Sequence, residues 1–153
     1  MRGWRIGPQL VEEFGDAGPA SFWDDLSRLH AGDPAGLELA IRFLERDPWR
    51  QGSGYVKADL IRYINRVALG PGEATRLRRV VLAVVDRPDR REFRRYVRLG
   101  IKVDAPELRE GLAQRLSSPD PGIRRRAGWA LSALEDTTTT RSKPATYRTK
   151  LPK

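Results

Sequence analysis

Apolar residues along this chain recur at three- and four-residue intervals, and no segment sustains the period-2 alternation of a half-buried strand. Phe22, Leu26 and Leu29 form one helical face. Leu37, Ala40, Ile41 and Leu44 form a second, and Val56, Leu60, Ile64 and Val67 a third. Leu77, Val81, Val84 and Val85 come next, then Phe93, Tyr96, Val97, Gly100 and Ile101. Leu108, Leu112 and Leu116 follow, and Ile123, Ala127, Ala130, Leu131 and Leu134 close the series. The pattern predicts an all-α chain of about seven helices.

Between these faces lie helix-breaking and capping residues. Ser21-Phe22-Trp23-Asp24 has the form of a capped helix start, and Asp33-Pro34 supplies an N-cap followed by proline at the first helical position. Asp89 with Glu92, and Asp104 with Glu107, have the three-residue spacing of an N-cap pair, and Asp120-Pro121 opens the last helix. Gly52-Ser53-Gly54 and Gly70-Pro71-Gly72 read as turns. Residues 1–19, with four Gly and two Pro, are expected to be irregular apart from a turn of helix at Gln9–Phe14. Residues 20–136 form the predicted folded domain. Residues 137–153 start with four Thr and carry five cations and no acid, the composition of a disordered basic tail.

Three of the helices superpose without gaps. They begin Val56-Lys57-Ala58-Asp59-Leu60, Phe93-Arg94-Arg95-Tyr96-Val97 and Ile123-Arg124-Arg125-Arg126-Ala127, with spacings of 37 and 30 residues. Each follows a proline-containing break and is preceded by another amphipathic helix, so the unit is a helical hairpin of solenoid period. The segment Ser118-Pro119-Asp120-Pro121-Gly122-Ile123-Arg124-Arg125-Arg126-Ala127-Gly128-Trp129-Ala130-Leu131 resembles the second half of a HEAT repeat: an Asp/Pro turn, an aliphatic residue, an Arg, then small residues ending in Ala-Leu. Residues 87–101 follow that pattern with Tyr96 and Val97 at positions usually small, and residues 47–64 keep Asp47-Pro48, Val56, Lys57 and Leu60. The resemblance spans roughly residues 34–135. It implies a short right-handed stack of helical hairpins of HEAT/armadillo type. The ends of such a stack need covering, and the candidates are the Phe22–Leu29 helix with Trp4 and Trp23 at one end and Trp129 at the other. The resemblance implies no single function.

Composition narrows the chemistry. The 153 residues include no Cys and one His, which excludes disulfides, thiol nucleophiles, Cys-based zinc sites and His clusters. Neither a cofactor nor a metal is expected. The longest apolar run, Val80–Val85, is far too short to span a membrane, and Met1–Arg5 lacks a signal-peptide core, so a cytoplasmic chain without membrane partners is expected. His30, at a helix end before Ala31-Gly32, reads as a C-cap residue. The adjacent pairs Asp24-Asp25 and Glu12-Glu13 diverge on a helix and make poor acid–base dyads. The expectation is a non-enzyme.

Charge is the feature with functional content. The net charge of +9 is uneven: −3 over residues 1–50, +7 over 51–100 and +5 over 101–153. On a helical wheel Arg91, Arg94, Arg95, Arg98 and Lys102 fall on one continuous arc opposite the apolar face, with no acid inside it. An ordinary surface helix interleaves charges to gain i,i+4 pairs; this one does not. Guanidinium forks suit phosphate oxygens. The repeat register sets Lys57, Arg94 and Arg124 at one equivalent position, with Arg95 and Arg125 beside them. A basic residue at that position also belongs to the HEAT pattern, where it pairs between repeats. The expected function is a non-catalytic module that binds nucleic acid, DNA or RNA, through its phosphate backbone, led by Arg91, Arg94, Arg95, Arg98 and Lys102 and assisted by Lys57, Arg124, Arg125 and the tail. The alternative is a scaffold that docks an acidic partner protein. A minor alternative comes from the resemblance, because alkylpurine DNA glycosylases of HEAT-like fold use a basic concave groove. The chain is short for that family, and no residue here matches its catalytic Asp or aromatic pair.

Overall fold

The computed structural model describes residues 8–15, 19–50 and 52–142. Within them are eight α-helices and no strand: α1 Pro8–Phe14, α2 Pro19–His30, α3 Leu37–Arg46, α4 Ser53–Ile64, α5 Pro71–Val85, α6 Phe93–Lys102, α7 Pro106–Arg115 and α8 Pro121–Ser142. A 3₁₀ turn, Pro34–Gly36, leads into α3, and the Asp33 side chain caps it by accepting the Ala35 N–H at 2.9 Å. Each helix packs on its successor or on the one after it. Helices α1, α3, α5 and α7 touch in series, as do α2, α4, α6 and α8.

The predicted apolar faces form one core, except for Leu116, which lies past the end of α7 and is exposed. Phe22, Leu26 and Leu29 of α2, Ile41 and Phe43 of α3, Leu60 and Ile64 of α4, and Leu108 and Leu112 of α7 are fully buried. Each such side chain contributes roughly 1.5–3 kcal/mol relative to exposure. Gly36 marks a close approach of the chain to α2: a Cβ there would lie 2.2 Å from the Asp25 carbonyl oxygen and 2.8 Å from Leu29 Cβ. Only glycine lets the 3₁₀ turn pack this tightly on α2.

Several boundaries differ from the sequence reading. Helix α2 begins at Pro19, before Ser21. The eighth helix is α1, inside the stretch expected to be irregular. It buries Leu10, Val11 and Phe14, and the Phe14 ring packs tilted against that of Phe43, 4.7 Å between centroids. Seven residues cannot hold a helix alone, so docking on α2 and α3 stabilises it. At the other end α8 runs through the Thr stretch to Ser142, where a disordered tail was expected. Thr137, Thr138 and Thr139 each donate their hydroxyl to the carbonyl four residues back, so the polar side chains are satisfied within the helix. The remainder of the expected tail, 143–153, lies outside the described residues, as does Trp4.

Two expected N-caps do other work. Asp89 accepts from Arg125 and Arg126 of α8, and α6 starts at Phe93 without a side-chain cap. Asp104 accepts from Arg109, and Glu107 from Arg78. The Asp120 carboxylate does bond the N–H of Gly122 at the start of α8. His30 ends α2, its carbonyl accepting from Arg66 and its ring edge-on to Tyr63.

Candidate functional site

Helix α6 carries its cations where its apolar face forces them. Phe93, Tyr96, Val97 and Gly100 are buried, which turns Arg94 and Arg98 fully outward and leaves Arg95 half-buried. Arg91 lies in the turn before the helix and is exposed. Opposite stands the first turn of α4. Gly52 enters it with φ +81°, the left-handed region that favours glycine. The Ser53 hydroxyl accepts the Arg50 N–H at 3.1 Å, which fixes the turn. Gly54 has no side chain, and the Glu92 carboxylate lies against it, 3.3 Å from where a Cβ would stand.

Between α4 and α6 runs an open groove of ≈ 490 Å³, lined by Arg91, Arg94, Arg95 and Arg98 on one side and by Tyr55, Gly54 and Ala58 on the other. Tyr55 is 66% exposed. Glu92 is the one carboxylate in the lining. It faces Arg90, 3.7 Å away, and so is partly occupied by a cation of its own.

Most other arginines are held within the fold, and they stitch successive hairpins together. Arg46 of α3 reaches Glu13 of α1. Arg76 of α5 bridges Glu45 and Glu38 of α3, which hold its guanidinium firmly protonated. Arg115 of α7 grips Asp86 through two bonds of 2.7 and 2.8 Å. Arg78 spans the Val103 carbonyl and Glu107. Arg126, buried, donates to the Val85 carbonyl and to Asp89; with Arg125 it holds the Asp89 carboxyl below its ordinary value. By contrast, Arg91, Arg94, Arg95 and Arg98 have no hydrogen-bond or ion-pair partner among the described residues; Arg79 on α5 is likewise without one.

Behind the groove lies a buried charge cluster that the sequence reading missed. Asp47 closes α3 in a left-handed conformation, φ 51°, and its side chain is only 2% exposed. Lys57 and Arg90 each reach it at 2.7 Å with 1% exposure, and Arg87 bonds it from the rim. The Trp49 ring covers both buried cations, 4.8 Å from Lys57 Nζ and 4.8 Å from Arg90 Cζ. Burial alone would raise the Asp47 carboxyl, but hydrogen bonds from Arg90 and Lys57 overcome it and hold the group well below the usual carboxylate range. Burial lowers Lys57, with Asp47 opposing. The Tyr96 hydroxyl and Arg90 Nε are buried without a hydrogen-bond partner among the described residues, and burial pushes the Tyr96 phenol far up.

The predicted site residues therefore divide. Arg91, Arg94, Arg95 and Arg98 share the groove. Lys102 is exposed farther along α6, its ammonium 3.3 Å from the Asn65 carbonyl. Arg124 donates to the Ser118 carbonyl, and Arg125 is paired with Asp89. Lys57 corrects the expectation: it is internal and cannot reach a partner. The cause is a one-residue slip in the repeat register. A spacing of 36 residues, not 37, aligns buried Lys57, Leu60, Ile61, Tyr63, Ile64 and Val67 with buried Phe93, Tyr96, Val97, Leu99, Gly100 and Val103. Lys57 is thus the counterpart of Phe93 and not of Arg94. The acid one residue before Pro48 was the available signal, since a lone Lys in an apolar row needs a counter-ion.

Among the described residues no His, Cys, Asp and Glu cluster could hold a metal ion, and no helix is long and apolar enough to cross a membrane. Comparison with protein-family models, curated protein sequences and solved structures gave no match.

Proposed function

We propose that this chain is a HEAT-like stack of helical hairpins that binds nucleic acid non-catalytically through the phosphate backbone, in the groove between α4 and α6. The two series of helix contacts support the stacked arrangement. One observation carries the binding reading: in a fold that pairs most of its arginines internally, four unpaired guanidiniums line a single groove. Such a cluster repels itself in the free protein, and a polyanion relieves that repulsion while releasing counter-ions. Lys102, Arg124 and Arg125 lie outside the groove lining, and each is bonded within the fold.

The test is binding to mixed-sequence DNA and RNA oligonucleotides across a salt series. Phosphate binding gives a linear fall of log affinity with log salt, by about 0.7 to 0.9 per neutralised phosphate. Arg94→Ala with Arg98→Ala is expected to reduce that slope by between about 1 and 2. Absence of binding at low salt overturns the proposal. Equal affinity for a polyglutamate of matched charge points instead to an acidic protein partner.

A further inference from the structure

We infer that the groove takes a single strand, with a base stacked on Tyr55 while the phosphates lie on Arg94 and Arg98. This rests on the phosphate-binding reading above and goes beyond it in naming the form of nucleic acid. Three features of the groove point the same way. Tyr55 is 66% exposed, although its own helix buries Val56, Leu60 and Ile61 and could have kept a polar residue at that position. Neither its ring nor its hydroxyl has a partner among the described residues. It stands across the groove from the arginine row, so a chain lying along the row turns its bases toward it.

Stacking needs an open base face. In a duplex those faces are covered by neighbouring base pairs, and an aromatic side chain at a phosphate-binding surface meets only sugar and backbone. In a single strand every nucleotide offers one, and a basic groove bordered by an aromatic platform is the arrangement that exploits it. The groove, ≈ 490 Å³, is of the order that holds a small organic ligand, which leaves room for a nucleotide beside the Tyr55 ring. The missing side chains at Gly52 and Gly54 keep the α4 side of the groove low beside the Tyr55 ring. A fifth cation, Arg90, stays out of the groove because Asp47 holds it through two hydrogen bonds, with Glu92 facing it from 3.7 Å.

The experiment compares four ligands of equal phosphate count at one low salt concentration with the full chain: oligo-dT, oligo-rU, a mixed-sequence duplex, and an abasic oligonucleotide that keeps the charges and lacks the bases. The single strands are expected to bind about tenfold or more tighter than the abasic strand. Tyr55→Ala should lose that same factor on oligo-dT and nothing on the abasic strand, whereas Tyr55→Phe should bind as the parent does. The oligo-rU arm reads which sugar is preferred, and either preference supports the inference. Duplex or abasic strand bound as tightly as oligo-dT overturns it while leaving the phosphate reading intact. No binding to any of the four overturns both. Because Tyr55 is exposed, neither substitution threatens the fold, and circular dichroism of both variants shows it.

Discussion

The ammonium of Lys57 lies 2.7 Å from the carboxylate of Asp47, and both side chains are almost wholly excluded from water. Arg90 shares that carboxylate from the opposite hairpin, so one buried anion holds two buried cations from two elements. Removing the anion strands both. Asp47→Ala is expected to cost about 3–5 kcal/mol, the usual penalty for breaking a buried pair from one side. Lys57→Met should cost much less, because Asp47 keeps Arg90 and Arg87 and a methionine fills the same volume. Urea denaturation of the two variants checks the order, and equal losses would show that the cluster is not organised around Asp47.

The same carboxylate makes stability depend on acid. Burial would raise the Asp47 carboxyl, but Arg90 and Lys57 hold it well below its ordinary value. In the unfolded chain it titrates near about 4. Below that pH the unfolded chain binds a proton that the folded chain still refuses, so stability is full above about pH 4 and is lost as pH falls toward the folded value. Urea melts from pH 6 to pH 3 should show this decline, and Asp47→Asn should flatten it. A variant curve as steep as the parent's assigns the acid sensitivity elsewhere.

Arginine substitutions should separate into two kinds. Arg126→Ala removes a buried guanidinium that ties the Val85 carbonyl and Asp89 to α8, and a loss of about 2 kcal/mol or more is expected. Arg94→Ala and Arg98→Ala remove unpaired, exposed charges and should leave the melting temperature unchanged or slightly raised. If the groove variants melted as far below the parent as Arg126→Ala, the groove arginines would be part of the framework, and the reason for reading them as a binding surface would disappear.

Two glycines give opposite expectations. Gly36→Ala drives a Cβ into the Asp25 carbonyl and Leu29, so overpacking of about 1–3 kcal/mol or more is predicted. Gly72, in the first turn of α5, has nothing within 4 Å of the added Cβ. Gly72→Ala should stabilise by up to about 1 kcal/mol by restricting the unfolded chain. Thermal melts of the pair test whether the α2–α3 approach is as close as described.

Much of this was legible in the chain. The seven apolar faces each became a helix, because an amphipathic stripe can be buried in only one way once its period is 3.6. Helix α1 was visible only as a turn at Gln9–Phe14, since seven residues carry too little propensity to announce a helix that docking stabilises. The Thr stretch misled for the converse reason: residues of poor intrinsic preference extend α8 because each hydroxyl bonds back to a carbonyl of the same helix.

The arginines show where sequence ends and tertiary structure begins. Periodicity along α6 alone placed Arg94 and Arg98 on the face opposite the core, because a helix has one geometry and its apolar residues choose its orientation. Periodicity could not say which cations have partners. Arg76 meets Glu38 and Glu45, Arg90 meets Asp47, and Arg126 meets Asp89 across separations of about 30 to 43 residues, and such pairs exist only once the hairpins are packed. Lys57 was misplaced because a one-residue change of register moves a side chain by a third of a turn, from surface to core, and only packing against Asp47 decides between the two. The sequence by itself determined seven of the eight helices among the described residues and the outward placement of Arg94 and Arg98. The tertiary structure decided which charges are spent on the fold, and so left four arginines and one tyrosine facing one groove.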